Sequence, residues 1–318
     1  MELTVCICTH NRPHYVRDCL TGLRGQTVPA DQYSVLVVDS ASGTAAAAEL
    51  RDLASAFGAR IIRVEQPGVS AARNAGAWGA RARYIAYIDD DAIPAPDWVE
   101  RILAAIHVPG RRPAVIGGRI LPKWEAPLPT WWPESLIGLL SIIEVEGQGE
   151  YRRPGLPARL EPYGANMIVH VLSLLAAGGF PAAAGRVGNA LLSDEDVQLA
   201  WMLQDAGHSV RYDSRIVVHH QIQGGRLNPE WLLARLYWQG ASTVLTRRKL
   251  RQPDAVWREL PRRMAVAALC APAGLVPRRS TWLLAARWRL AYASGFIRAA
   301  FRWRMPAVAE SRPLALAA

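Results

Sequence analysis

Four apolar runs, at residues 4–8, 33–38, 60–64 and 83–88, alternate with segments of helical spacing at 14–25, 45–57 and 70–82. Few architectures accept that order. Strands separated by helices pair in parallel through crossovers, so the pattern predicts an α/β domain with a largely parallel sheet flanked by helices. Val16, Leu20 and Leu23 share one face of the first helix, as a buried crossover requires. Ligands of such sheets bind beyond the carboxyl ends of the strands. Here three of those ends are polar. Thr9-His10-Asn11-Arg12 follow the first run, Asp39 closes the second, and Asp89-Asp90-Asp91 follow the fourth. Three adjacent carboxylates repel one another, and at the end of a buried strand they call for a cation. Oxygen ligands suit Mg²⁺ or Mn²⁺. A solvated acidic turn is the plain alternative.

Past residue 92 the pattern loosens. A helix is expected over 98–106 and a strand over 114–118. The stretch 123–160 is irregular and rich in Pro and Trp, with one helix around 136–143. A strand-like run at 166–171, a helix over 194–206 and extended pieces at 210–212 and 216–219 complete the body. The chain has 318 residues with 51% hydrophobic and 20% charged side chains, enough for a sizeable core and too apolar for disorder. Four cysteines make no disulfide framework and no zinc-like pairing, and read as reduced thiols of a cytosolic protein. The first residues already form a strand pattern with no leader, and no apolar run approaches the roughly 18–20 residues of a spanning helix.

Taken together, the segments 8–12, 37–40, 67–76 and 89–91, with Tyr163-Gly164-Ala165-Asn166-Met167, Asp194-Glu195-Asp196 and His219-His220, resemble the family 2 glycosyltransferases. The resemblance covers roughly residues 3–225. It implies the GT-A fold, an open twisted mixed sheet flanked by helices. It also implies transfer of a sugar, with inversion, from a nucleoside diphosphate to a hydroxyl acceptor. UDP-sugars are favoured, with GDP- and dTDP-sugars left open. By the same resemblance residues 1–92 bind the nucleotide and 93–225 the acceptor. Thr9, Asn11, Arg12, Asp39, Arg73, Asp89 and Asp90 would hold the nucleotide. Asp91 would ligate Mn²⁺ or Mg²⁺, joined by His219 or His220, of which only one can face the site because neighbours on a strand alternate; His219 is preferred. Asp196 is the expected general base, with Glu195 and Asp194 as fallbacks. Trp131, Trp132, Tyr163, Gly164, Asn166 and Asp194 would meet donor sugar and acceptor. Plainer roles stand beside these: Asn11 suits a turn ahead of Pro13, acids suit the start of a helix, and indoles usually pack in cores.

Residues 226–318 differ in character, with 17 Lys and Arg against 4 Asp and Glu, whereas residues 1–225 hold 20 against 23. An amphipathic helix is expected from Trp231 to about Leu245. The stretch 282–305 interleaves Trp282, Trp288, Phe296, Phe301 and Trp303 with arginines. That mixture points to an interfacial helix on an anionic membrane, at the cytoplasmic face of the cell membrane. Packing on the body or on a second copy is the alternative, and no recognition motif accompanies the charge to indicate nucleic acid. Two rival activities remain: a nucleotidyltransferase on a related sheet, and a silent nucleotide-sugar-binding protein.

Overall fold

A computed structural model describes residues 1–108, 112–151, 161–181, 190–250, 252–274 and 283–302. The alternation forms as expected: β1 (Leu3–Thr9), α1 (Pro13–Arg24), β2 (Tyr33–Ser40), α2 (Thr44–Ala56), β3 (Arg60–Val64), α3 (Val69–Gly79) and β4 (Tyr84–Asp89). Pro13 starts α1, where its missing N–H costs nothing, and Val16, Cys19, Leu20 and Leu23 bury one stripe. β5 (Ala92–Pro94), α4 (Trp98–Ile106), β6 (Pro113–Trp124), β7 (Gln148–Glu150), β8 (Asn166–His170), α5 (Val171–Ala176), α6 (Glu195–Asp205) and β9 (Ser209–Ile222) follow. The helix expected around 136–143 is a 3₁₀ turn at Glu134–Leu140. The two extended pieces after α6 are one strand, broken in register opposite Gly118/Arg119.

The sheet runs β3-β2-β1-β4-β8-β6-β9-β5, with β7 on β9. The β3-β2-β1-β4 half is parallel, while β8 is antiparallel to β4 and β6. The sheet is therefore mixed. In the parallel half Thr9 pairs with Asp39, and Cys8 with Asp89, so three polar strand ends lie in one layer. One core covers each face of this half: Ile7, Val37 and Ile88 under α1 and α4, and Cys6, Val38 and Tyr87 under α3 and α5.

Beyond β9 come α7 (Pro229–Lys249), α8 (Pro253–Cys270) and α9 (Leu284–Arg302). α7 does not stand apart from the body. Its Leu232 and Leu236 pack with Trp132, Leu140 and Ile222. α7 and α9 meet backbone to backbone, because a Cβ at Gly240 would strike the Tyr292 carbonyl and one at Gly295 the Tyr237 carbonyl. Helix propensity alone would make Gly240→Ala stabilising by about 1 kcal/mol. The collision outweighs that gain, since overpacking costs about 1–3 kcal/mol. We expect net destabilisation in urea unfolding; a variant as stable as the parent would disprove the close crossing.

The region expected to be an interfacial helix turns out differently. Trp288 and Phe296 of α9 face inward, and Arg287 is buried with its Nε donating to the Ala273 carbonyl. Trp282, Trp303 and the arginine at 304 lie outside the described residues. The exposed apolar side chains are Trp257, Met264 and Leu269 on α8, with Phe301 touching Trp257 at 6.0 Å between ring centroids. Pro253 starts α8, and the helical spacing escaped the sequence because Pro261 interrupts it.

Candidate active site

A cavity of about 1570 Å³ opens over the carboxyl ends of β1 and β4. That is larger than one drug-sized ligand needs, and leaves room for two substrates. Two acidic groups border it: Asp89-Asp90-Asp91 at the end of β4, and Asp194-Glu195-Asp196 at the start of α6.

Arg73 ties the two groups together. It rises from α3, is 4% exposed, and donates to Asp89 Oδ1 at 3.1 Å and to Glu195 Oε1 at 2.7 Å. Burial works against its charge, but Glu195, Asp89 and Asp196 more than compensate and hold it protonated. A guanidinium already matched by two carboxylates offers no net charge to a diphosphate. Arg73 thus bridges the two acidic groups at the cavity wall, which it also lines. Gly164 leaves the space for it, since any Cβ there would fall on the guanidinium.

The cation that the aspartate triplet demanded is in large part arginine. Arg12 donates from Nε and Nη2 to Asp90 and from Nη1 to Asp91 Oδ2 at 3.0 Å, and Thr9 Oγ1 donates to Asp90 Oδ2 at 2.6 Å. Asp90 is fully buried, and burial pushes its carboxyl up to about 7 against the pull of Arg12. Thr9, Arg12 and Asp90 therefore form one hydrogen-bonded group in the cavity lining. Asp89 is the exposed member of the triplet, its side chain 32% open.

Asp91 carries the densest set of contacts. Oδ2 accepts from Arg12, from Gln223 at 2.8 Å and from Arg226 at 3.1 Å, and Oδ1 lies 3.1 Å from His220 Nε2. Burial would raise its pKa, but His220, Arg12 and Arg226 hold the carboxyl well below the usual range. The imidazole at Asp91 is His220, not His219. Pairing with β5 sets Ala92 against His220 and Ile93 against His219, and the pleat turns the second ring to the other face. His220 Nδ1 meets the Leu140 carbonyl at 3.0 Å. A carbonyl only accepts, so this contact makes Nδ1 the donor and leaves Nε2 toward Asp91.

Asp196 is 9% exposed. Its Oδ2 accepts from the Gly164 N–H at 2.7 Å and its Oδ1 from the Val197 N–H at 2.8 Å, which fixes the carboxylate against the cavity wall. Asp194 has φ 80°, a left-handed conformation that costs energy in a non-glycine residue. It is held there by Gln239 and Ser193, and burial raises its pKa. Glu195 is committed to Arg73. Tyr163, Gly164 and Trp132 line the cavity, as does Trp124.

Four expected site residues lie elsewhere. Asn166 is wholly buried, bonded to Trp98 Nε1 and to the carbonyls of Arg119 and Ile216, so it locks β8 instead of meeting substrate. Asn11 has φ 57° and clamps the β2–α2 turn through Ser42 and Gly43. Trp131 is tilted against Trp132 with 5.6 Å between ring centroids and is not part of the cavity lining. Asp39 is 2% exposed, accepting from Ser42 N and Arg63 Nη1, next to the cavity but not on its surface. Conversely Arg235, Gln239 and Ser193 line the cavity without having been anticipated. Arg235 had one readable sign, a charge at the i+3 position of the stripe Leu232, Leu236, Gln239, Gly240.

Residues 4–142 match the family model described as glycosyl transferase family 2. The chain is 28% identical over 179 residues to a glucosyl-dolichyl phosphate glucuronosyltransferase of Haloferax volcanii, covering 56% of this chain and 55% of that protein. It is 28% identical over 258 residues to the pre-mycofactocin glycosyltransferase of Mycobacterium tuberculosis, covering 80% of this chain and 48% of the relative. The chain thus spans about half the length of these relatives. Among solved structures, a mannosyltransferase from Pyrobaculum calidifontis in complex with GDP-Man and Mn²⁺ superposes over 95% of this chain and 88% of its own, with a TM-score of 0.58 at 16% identity. That likeness shows the GT-A fold.

Proposed function

From a chain whose residues 4–142 form a glycosyl transferase family 2 domain, we propose an inverting, metal-dependent transfer of a sugar from a nucleoside diphosphate, UDP above all, to a hydroxyl acceptor. The observation that carries the reading is the pair of acidic groups facing one cavity and linked through Arg73. One group is suited to the leaving diphosphate and the other to the incoming hydroxyl. Asp196 takes the proton from that hydroxyl as its oxygen attacks the anomeric carbon and the bond to the diphosphate breaks. A single displacement inverts the configuration. Its two backbone bonds hold the carboxylate in place.

The donor set fits a divalent cation. Asp91 and His220 supply one carboxylate and one imidazole whose far nitrogen is tied to a carbonyl, a common arrangement for a ligating histidine. Among the described residues no group of three acidic, His or Cys side chains stands ready for a metal. An ion of the Mg²⁺ type characteristically takes its remaining ligands from phosphates and water. When bound, such an ion offsets the charge that builds on the departing diphosphate. Arg12 and Arg226 add positive charge on the same side.

A screen of nucleotide sugars for hydrolysis and binding, with and without Mn²⁺, tests the reading. We expect one donor class to bind, and EDTA to reduce turnover by at least about tenfold, with recovery on adding Mn²⁺. Turnover indifferent to EDTA would remove the metal from the mechanism. Release of pyrophosphate instead of a nucleoside diphosphate would favour a nucleotidyltransferase.

The membrane reading now rests on α8. Leu269 is 82% exposed, and Trp257 and Met264 are each half exposed beside the exposed Arg258 and Arg262. No helix among the described residues is long and apolar enough to cross a membrane. A face of this kind suits the surface of an anionic bilayer on the cytoplasmic side. Each large side chain contributes about 1.5–3 kcal/mol when buried. The double variant Trp257→Ser/Leu269→Ser should therefore bind phosphatidylglycerol vesicles at least about tenfold more weakly. Equal sedimentation of both proteins would overturn the assignment.

A further inference from the structure

Arg235 is a buried cation for which the transfer chemistry above has no use. It sits on α7 between Leu232 and Leu236, is 7% exposed, and borders the cavity beside Asp194-Glu195-Asp196. Its Nη2 donates to Ser193 Oγ at 3.0 Å. Among the described residues its Nε and Nη1 have no acceptor and no carboxylate pairs with it. The nearest acid that could have done so, Asp194, takes its hydrogen bonds from Gln239 and Ser193 instead. A guanidinium stripped of water with two orphaned donors is costly unless a ligand completes it. Burial accordingly lowers the pKa of Arg235, with Asp194, Tyr163, Glu195 and Asp196 only partly offsetting it.

A second buried donor on the same cavity is also unmet among the described residues: the indole N–H of Trp132, a residue 7% exposed. All three orphaned atoms are donors and none accepts. A ligand that satisfies them brings acceptor oxygens and negative charge, and the planar fork of an arginine suits phosphate or carboxylate. The position decides which substrate carries that group. The nucleotide end of the cavity is the Arg12–Asp91–His220–Arg226 side. Arg235 lies at the other acidic group, next to the proposed base. A bare acidic wall at 194–196 would repel an anionic acceptor, and Arg235 offsets that repulsion.

We propose that Arg235, with the Trp132 indole, forms an anion subsite for the acceptor, so that the hydroxyl presented to Asp196 belongs to a molecule bearing a phosphate or carboxylate. The proposal rests on the glycosyltransferase reading of the cavity. It also assigns the C-terminal helices a part in choosing the acceptor.

The test uses the full chain saturated with UDP, which occupies the diphosphate end. Inorganic phosphate is then titrated in and followed by tryptophan fluorescence. Binding is expected in the parent, with affinity at least about tenfold lower in Arg235→Met, the loss typical of a charge-assisted contact. Arg235→Lys, which keeps the charge but not the fork, should fall between them. Melting curves check that each variant is folded. An arm without substitutions compares glycerol 3-phosphate, dihexanoyl phosphatidic acid and glycerol as competitors of phosphate on the parent. Either phosphate outcompeting glycerol by tenfold or more supports the subsite, and their ranking separates a soluble from a lipid-borne group. Equal phosphate affinity in parent and Arg235→Met, or no advantage of the phosphates over glycerol, overturns it. Failure of every nucleoside diphosphate to bind would instead sink the enzymatic reading, while the comparison of parent and Arg235→Met still reports on the subsite.

Discussion

Asp196→Asn is expected to lower kcat by roughly 10³-fold, within the range a positioned general base contributes. The substitution is nearly isosteric. Its carbonyl can still accept one of the two backbone N–H groups now bound by the carboxylate, from Gly164 or from Val197. The other N–H loses its partner, a cost of about 1 kcal/mol in stability. A thousandfold loss of rate corresponds to about 4 kcal/mol of barrier. Chemistry and folding are therefore separable: the rate collapses, the melting temperature moves by a few degrees, and the donor KM stays within a few-fold. Parent-like turnover in the asparagine variant would move the base to Asp194, since Glu195 is engaged by Arg73.

Asp91→Asn should abolish the metal-dependent part of nucleotide binding and cut kcat/KM by at least about 10³-fold, the scale of several kcal/mol that a Lewis acid supplies. Here folding and chemistry are not cleanly separable. Asp91 is buried and faces His220, Arg12 and Arg226, and removing one charge of such a set costs about 3–5 kcal/mol. The informative readout is a ratio, UDP affinity with Mn²⁺ over affinity without it, measured on folded protein. That ratio should fall to one in the variant. An unchanged Mn²⁺ stimulation would show that the ion binds elsewhere.

What was legible in the sequence was local or periodic. The crossovers up to β4 follow from apolar spacing, and the polar strand ends at Thr9, Asp39 and Asp89 follow from where the runs stop. What was not legible depends on pairings between distant segments. Nothing near Arg12 announces that its guanidinium will fork onto Asp90, 78 residues away. Alternation requires that only one of His219 and His220 face the site, but the choice is made by β5, three residues long and too short to read. Asn166 sits in a motif shared with binding residues, yet the Trp98 indole claims it. Arg235 was masked by company: in a segment with 17 basic residues, its place on the Leu232–Leu236 stripe was the one sign that set it apart, and its burial is what gives that sign weight.

The glycine contact between α7 and α9 has a consequence for how this protein could diversify. Gly240 follows Gln239, one of the residues that hold Asp194, and lies little more than a turn from Arg235. Gly295 on α9 is no part of the cavity wall, yet its bulk sets how closely α7 is seated. A side chain at position 295 would act as a wedge, shifting the Arg235 side of the cavity while the strand ends at Thr9 and Asp89 stay put. Acceptor preference could then drift through changes in a helix that no substrate touches, leaving the donor half of the molecule as it was.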